Sequence, residues 1–281
     1  VQEQLRRQHL DFKDGSTTDR PPPTLISFTP SPIYTLGRRQ TAPLTPAEVA
    51  RLTAPLQISQ FPHGGARSPP GSFNAQSGTA TPIQDSNRNG GGDANTNESL
   101  PPELLHSPRG GLTTYHGPGQ IVLWPVLDLK SPLHKQFTVK CYARLLETTT
   151  ISTLDSLFHI AAFTTDDPGV WVRPRRSYSS QAHHADEGEG EISKIAALGV
   201  HLRRHITALG TALNIAMPGP QVTDERVNPW ARIVACGLEG RGVTSVAGEL
   251  DGGVGRVDEL LSVSPSLSSG KKGEVVDAGG G

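Results

Sequence analysis

The chain has 281 residues, enough for one large domain or two small ones, and its 26 basic and 27 acidic side chains leave it almost neutral, without the basic field of a nucleic-acid-binding surface. Two cysteines cannot build a disulfide framework, which points to a reducing compartment and to free thiols. The longest apolar runs, such as residues 121–126, are far too short to span a bilayer, so nothing suggests a membrane partner.

The chain begins at Val1 and Met217 is its only methionine, which reads as a fragment or processed form. Residues 1–12 place Leu5 and charged neighbours at helix-compatible spacing and show no apolar stretch of a signal peptide. Residues 24–35 predict a short buried strand through Leu25, Ile26 and Phe28, a Pro30-Ser31-Pro32 turn, and a second extended piece at Ile33 and Tyr34. From about residue 64 to 107 nearly every residue is Gly, Ser, Asn, Pro, Thr or Ala, a composition that buries too little surface to offset the entropy of ordering, and a disordered insert is expected. Order returns at Arg109. Residues 121–129 predict a buried strand, and residues 138–162 carry Tyr142, Leu146, Leu154 and Phe158 at helical intervals. Residues 169–172 open another strand, a polar insert occupies 173–193, and residues 195–202 and 206–215 predict a pair of strands. Residues 251–281 read as a low-complexity tail behind a domain spanning 1–250.

Chemistry concentrates in three places. The first is the run Arg109, Gly110, Gly111, Leu112, Thr113, Thr114, Tyr115, His116, followed by Gly117 and Gly119. Its glycines let backbone approach a ligand closely, while Arg109 and His116 supply a fixed cation and a titratable donor, a combination suited to an acyl or carboxylate pocket. A glycine-rich turn with a framework arginine is the plainer alternative. The second is Cys236, with Ala235 before it and Gly237 after it: a thiolate is nucleophilic, and a neighbouring glycine amide is free to hold a developing oxyanion. A buried structural thiol is its alternative. The third is Lys194, leading into an apolar strand, where desolvation lowers an amine toward useful base strength; a strand-end lysine reaching for solvent is the competing possibility. Beside a cysteine, such a lysine can take the thiol proton. Cys141 reads as a small apolar filler of the helix, and His183, His184, His201 and His205 lack metal-ligand spacing. No phosphate loop ending in Gly-Lys-Ser/Thr is present.

With those segments in view, the sequence resembles the octanoyl-[acyl-carrier protein]:protein N-octanoyltransferases, also called lipoate-protein ligase B. The resemblance rests on Ile33 to Arg39, Arg109 to Gln120, Gly169 to Val172, Lys194 to Gly199, and Ala235-Cys236-Gly237 followed by Val243-Thr244-Ser245, all in the family's order. It implies an α/β catalytic domain shared with lipoate and biotin ligases, a mixed sheet with flanking helices. It implies octanoyl transfer from octanoyl-acyl carrier protein to a lysine of a lipoyl domain, carried by 2-oxoacid dehydrogenase complexes or by the glycine cleavage H protein. Cys236 would hold the acyl chain as a thioester and Lys194 would activate it. The acyl pocket would fall on Arg109 to His116, on Ala197, Leu198 and Gly199, and on Gly210, Thr211 and Ala212. No cofactor and no metal are implied, and the pathway implies a mitochondrial location. Where members often carry His before the glycine of the later motif, this chain has Leu209. An ATP-dependent lipoate ligase is a rival of the same fold, and a non-catalytic module binding acyl carrier or lipoyl domains is a rival of another class.

Overall fold

Alternation of apolar and small residues builds a large twisted sheet in the computed structural model, which describes residues 1–57, 99–173, 192–233, 241–250 and 257. In chain order the elements are helix α1 (Gln2–Lys13), strands β1 (Thr24–Phe28) and β2 (Ile33–Leu36), helix α2 (Pro46–Thr53), and strands β3 (Leu56–Gln57), β4 (Ser99–Leu100), β5 (Glu103–His106), β6 (Thr114–His116) and β7 (Gln120–Val126). They continue with helix α3 (Val139–Phe158), strands β8 (Ala162–Phe163), β9 (Val170–Val172), β10 (Ser193–Arg203), β11 (Ile206–Asn214) and β12 (Gly242–Val243), and the short helix α4 (Val246–Glu249). The large sheet runs β1-β7-β11-β10-β9-β8, with β12 added in parallel to β10 and the other pairs antiparallel. A smaller sheet, β5-β2-β6, stands apart from it.

Helix α3 forms where the periodicity predicts it. Thr138 caps its start by accepting the Cys141 amide at 3.1 Å, and the chain leaves it through His159 at φ 53. Its buried stripe of Tyr142, Glu147, Thr150, Leu154 and Phe158 bypasses Cys141, which is exposed in the first turn and fills no core. Leu154 and Phe158 pack with Val170, Val172, Ile195, Ala196, Leu213 and Val246 into the main core on one face of the large sheet. The predicted strand pair closes through Arg204 and His205, both at positive φ, as a two-residue hairpin turn requires to match strand twist.

The sequence expectation and the structure part in four places. Residues 99–107, assigned to the polar insert, contribute β4 and β5, because β2 supplies backbone partners to β5 and Leu104 anchors it in a second apolar cluster. The strand at Leu25 is not buried: β1 is a sheet edge, and Leu25 is 60% exposed. At the start of the second insert, Arg173 is exposed and lies over the Phe163 ring, whereas Ser193 already belongs to β10. Val257, assigned to the tail, is buried in the main core. Residues 64–98 and 174–191 of the inserts, Cys236 and the remaining tail lie outside the described residues.

Candidate active site

Across the other face of the large sheet, the β10–β11 pair is paved with small residues. The register sets Ala197 opposite Ala212 and Gly199 opposite Gly210, with Val122 of β7 beyond Ala212. Alternation along a strand puts this row on the side opposite Ala196 and Leu213. The small sheet covers it at a distance, leaving a mostly apolar cavity of about 300 Å³. Phe28, Ile33, Leu105, Val122, Trp124 and Leu209 supply most of the apolar wall, and Leu198 and Thr211 also border it. A side chain at Gly210 would run into the Leu123 carbonyl, so the backbones of β11 and β7 approach there as only glycine permits.

Arg109 closes one end. Its stem lies over Gly199, where an added Cβ would stand 3.0 Å from Cδ, and its guanidinium donates to the Thr35 carbonyl at 2.6 Å, to Thr35 Oγ1 and to the Gly110 carbonyl. His116 borders the same cavity with Nδ1 enclosed and unpartnered among the described residues. Burial first, then the nearby Arg109 charge, lower its pKa to about 4 against the opposing effect of a hydrogen bond to Gln120, so the ring is neutral near pH 7.

Lys194 lies farther along β10 and is 6% exposed. Its Nζ donates to the Pro168 carbonyl at 3.0 Å and stands 4.6 Å from the centre of the Trp171 ring, its cross-strand neighbour. Parallel pairing sets Ser193 and Lys194 against Gly242 and Val243, and the Thr244 amide donates to the Lys194 carbonyl at 3.0 Å.

A model of the lipoyl protein ligase A/B catalytic domain matches residues 98–263, more than half of the chain. The chain belongs to that family. Within it the chain stands with the octanoyltransferases, which makes it an acyltransferase. The mitochondrial octanoyl-[acyl-carrier-protein]:protein N-octanoyltransferase of Danio rerio is 32% identical over 251 residues, 89% of this chain and 76% of that one. The octanoyltransferase of Rickettsia felis is 35% identical over 143 residues, 51% of this chain and 58% of that one. Among solved structures, a bi-partite lipoate protein ligase of Thermoplasma acidophilum aligns at a TM-score of 0.42 and 13% identity over 93% of this chain and 76% of that one.

Of the octanoyltransferase pocket residues expected from sequence, Arg109, Thr114, His116, Ala197, Leu198, Gly199, Gly210, Thr211 and Ala212 border the cavity. Gly110, Gly111, Leu112, Thr113 and Tyr115 do not. Gly111, at φ 85, instead accepts the Arg39 amide, which ties the loop to the end of β2. Tyr115 alternates to the opposite face of β6, where it is fully buried with Tyr34, Leu52, Leu56 and Trp230. The sequence reading missed Phe28, Ile33, Leu105, Val122 and Trp124; the alternate positions of β1 and β7 were the signal for Phe28, Val122 and Trp124. It also missed Glu147 and Pro168 near Lys194, for which sequence spacing carries no signal.

Proposed function

We propose that this acyltransferase moves an octanoyl group from octanoyl-acyl carrier protein to a lysine of a lipoyl domain, through a thioester on Cys236. The Cys236 sulfur attacks the donor carbonyl, the bond to the carrier sulfur breaks, and Lys194 passes the cysteine proton to the departing thiol. The acceptor amine then attacks the Cys236 thioester, forming the amide and releasing the thiol. A thioester is already an activated acyl donor, so neither half-reaction needs ATP.

The observation that carries this reading is the apolar cavity of about 300 Å³ on the strand that also bears Lys194. Three residues of strand, roughly 10 Å, separate Lys194 from Ala197 at the cavity floor, a span suited to a short acyl chain whose carbonyl stays near the amine. The volume lies at the small end of ligand pockets, and each methylene buried there contributes about 0.8 kcal/mol. Arg109, Thr114, His116 and the Ala197–Gly199 and Gly210–Ala212 segments are the proposed acyl contacts, with Gly110 to Thr113 shaping the loop and Tyr115 backing it. The acceptors are the lipoyl domains of 2-oxoacid dehydrogenase complexes or the glycine cleavage H protein. The mitochondrial name of the Danio rerio relative supports a mitochondrial location.

Intact mass after mixing with octanoyl-acyl carrier protein tests the mechanism. An octanoyl adduct that hydroxylamine removes and that Cys236→Ser abolishes is expected; a folded protein that transfers octanoate as Cys236→Ser rejects the thioester route.

A further inference from the structure

One peptide group joins two oppositely charged side chains behind β9. Lys194 Nζ donates to the Pro168 carbonyl at 3.0 Å, and the Gly169 amide of that same peptide donates to the Glu147 carboxylate at 3.0 Å. The unit is planar and trans, so its C=O and N–H point in opposite directions. Turning the plane to break one contact breaks the other. Glu147 comes from α3, is 7% exposed, and is buried at the point where it meets Gly169. Gly169 sits at φ +130, where a side chain would lie 2.8 Å from the Ala196 carbonyl and 3.1 Å from Lys194 Cε, so this loop rests directly on the lysine stem. A carboxylate accepting at the N–H end polarises the peptide and strengthens its oxygen as an acceptor for an ammonium.

We propose that Glu147 is a positioning residue that aims Lys194 through the Pro168–Gly169 peptide. The inference rests on the proton-transfer role given to Lys194 above. Trp171 bounds the ammonium from the strand side and the Pro168 oxygen draws it toward the loop. Without Glu147 the peptide is free to turn, and the Pro168 carbonyl no longer holds Nζ in the same direction.

The test compares Glu147→Leu, which removes the acceptor, with Glu147→Gln, which keeps an acceptor oxygen of the same reach. Octanoyl transfer gives kcat and KM, and mass spectrometry after limited acetic anhydride treatment gives the labelling of Lys194 relative to exposed Lys130. Glu147→Leu is expected to lower kcat by about tenfold or more with KM within about twofold, and Glu147→Gln to recover most of it, since small displacements of a catalytic group cost that much. Lys194 labelling is expected to rise several-fold in Glu147→Leu and to stay near wild type in Glu147→Gln. Equal labelling in all three proteins, or an unchanged kcat in a folded Glu147→Leu, overturns the proposal. Should Glu147→Leu fail to fold, Glu147→Asp, which withdraws the carboxylate by one methylene, replaces it with the same expectations. If the wild type itself transfers no octanoyl group, the proposed function fails, and the labelling contrast still decides whether Glu147 positions Lys194.

Discussion

The two faces of the β10–β11 hairpin use the same backbone for opposite ends. Toward α3, Ala196 and Leu213 meet Leu154, Phe158, Val170 and Val246 in a filled apolar core. Toward the small sheet, Ala197, Gly199, Gly210 and Ala212 border a cavity of about 300 Å³. Small residues on the first face would leave voids that weaken the fold, whereas on the second they keep a cavity open. Filled core and open cavity are thus written on alternate residues of two strands.

The largest expected effect is on the filled face. Leu154→Ala, at a fully buried position, is expected to lower stability by about 2–5 kcal/mol while leaving acyl-chain preference unchanged; urea denaturation and a competition assay among acyl lengths measure the two effects separately. A shift in chain preference in that variant would break the division between the faces.

On the cavity face the effects invert. Ala212→Val places two extra carbons in the acyl space and is expected to weaken octanoyl transfer by roughly tenfold, about 1–2 kcal/mol, while moving preference toward hexanoyl. Unfolding curves should change little. Unaltered selectivity would mean that the acyl chain does not lie along this row.

A smaller effect separates the faces by pH. The value of about 4 for His116 lies below the ordinary 6.5, so the unfolded chain binds a proton that the native cavity refuses. Stability is full above pH 6.5 and falls as pH drops toward 4, by about 1–2 kcal/mol near pH 5. His116→Phe is expected to flatten that slope in thermal melts. A residual slope should remain from His9 and His201, whose values burial also lowers. An unchanged slope would remove His116 from the account.

Much of the framework was legible from local pattern. The α3 stripe, the paired strands at 195–202 and 206–215, and the strand at Gly169 appear where periodicity sets them, with boundaries shifted by a few residues. The glycine-rich run from Arg109 was expected to bring backbone close to a ligand, and of that run Arg109, Thr114 and His116 border the cavity while Gly110 and Gly111 do not. It did not separate residues on the cavity from those behind it, because Thr114 and Tyr115 are neighbours in sequence and on opposite faces in the strand. Strand β5 was illegible for a different reason. Its residues owe their order to pairing with β2, roughly seventy positions earlier, and no local composition reports a partner that distant. Cys141 shows the same limit: helical spacing located it on α3, and only packing decided which side of α3 meets the sheet.

The sequence by itself determined the family's order of motifs, the glycine-rich segments, and the cysteine and lysine to which the proposed acyl transfer assigns chemistry. Periodicity added the helices and strands that carry many of them, since backbone geometry repeats over neighbouring residues. Only the tertiary structure decided that Gly199 and Gly210 share one row beneath Arg109, and that Glu147 reaches Lys194 through a single peptide. These are relations between segments distant in the chain, set by strand register and by the docking of a helix on a sheet, and their physics appears only when the backbone has closed.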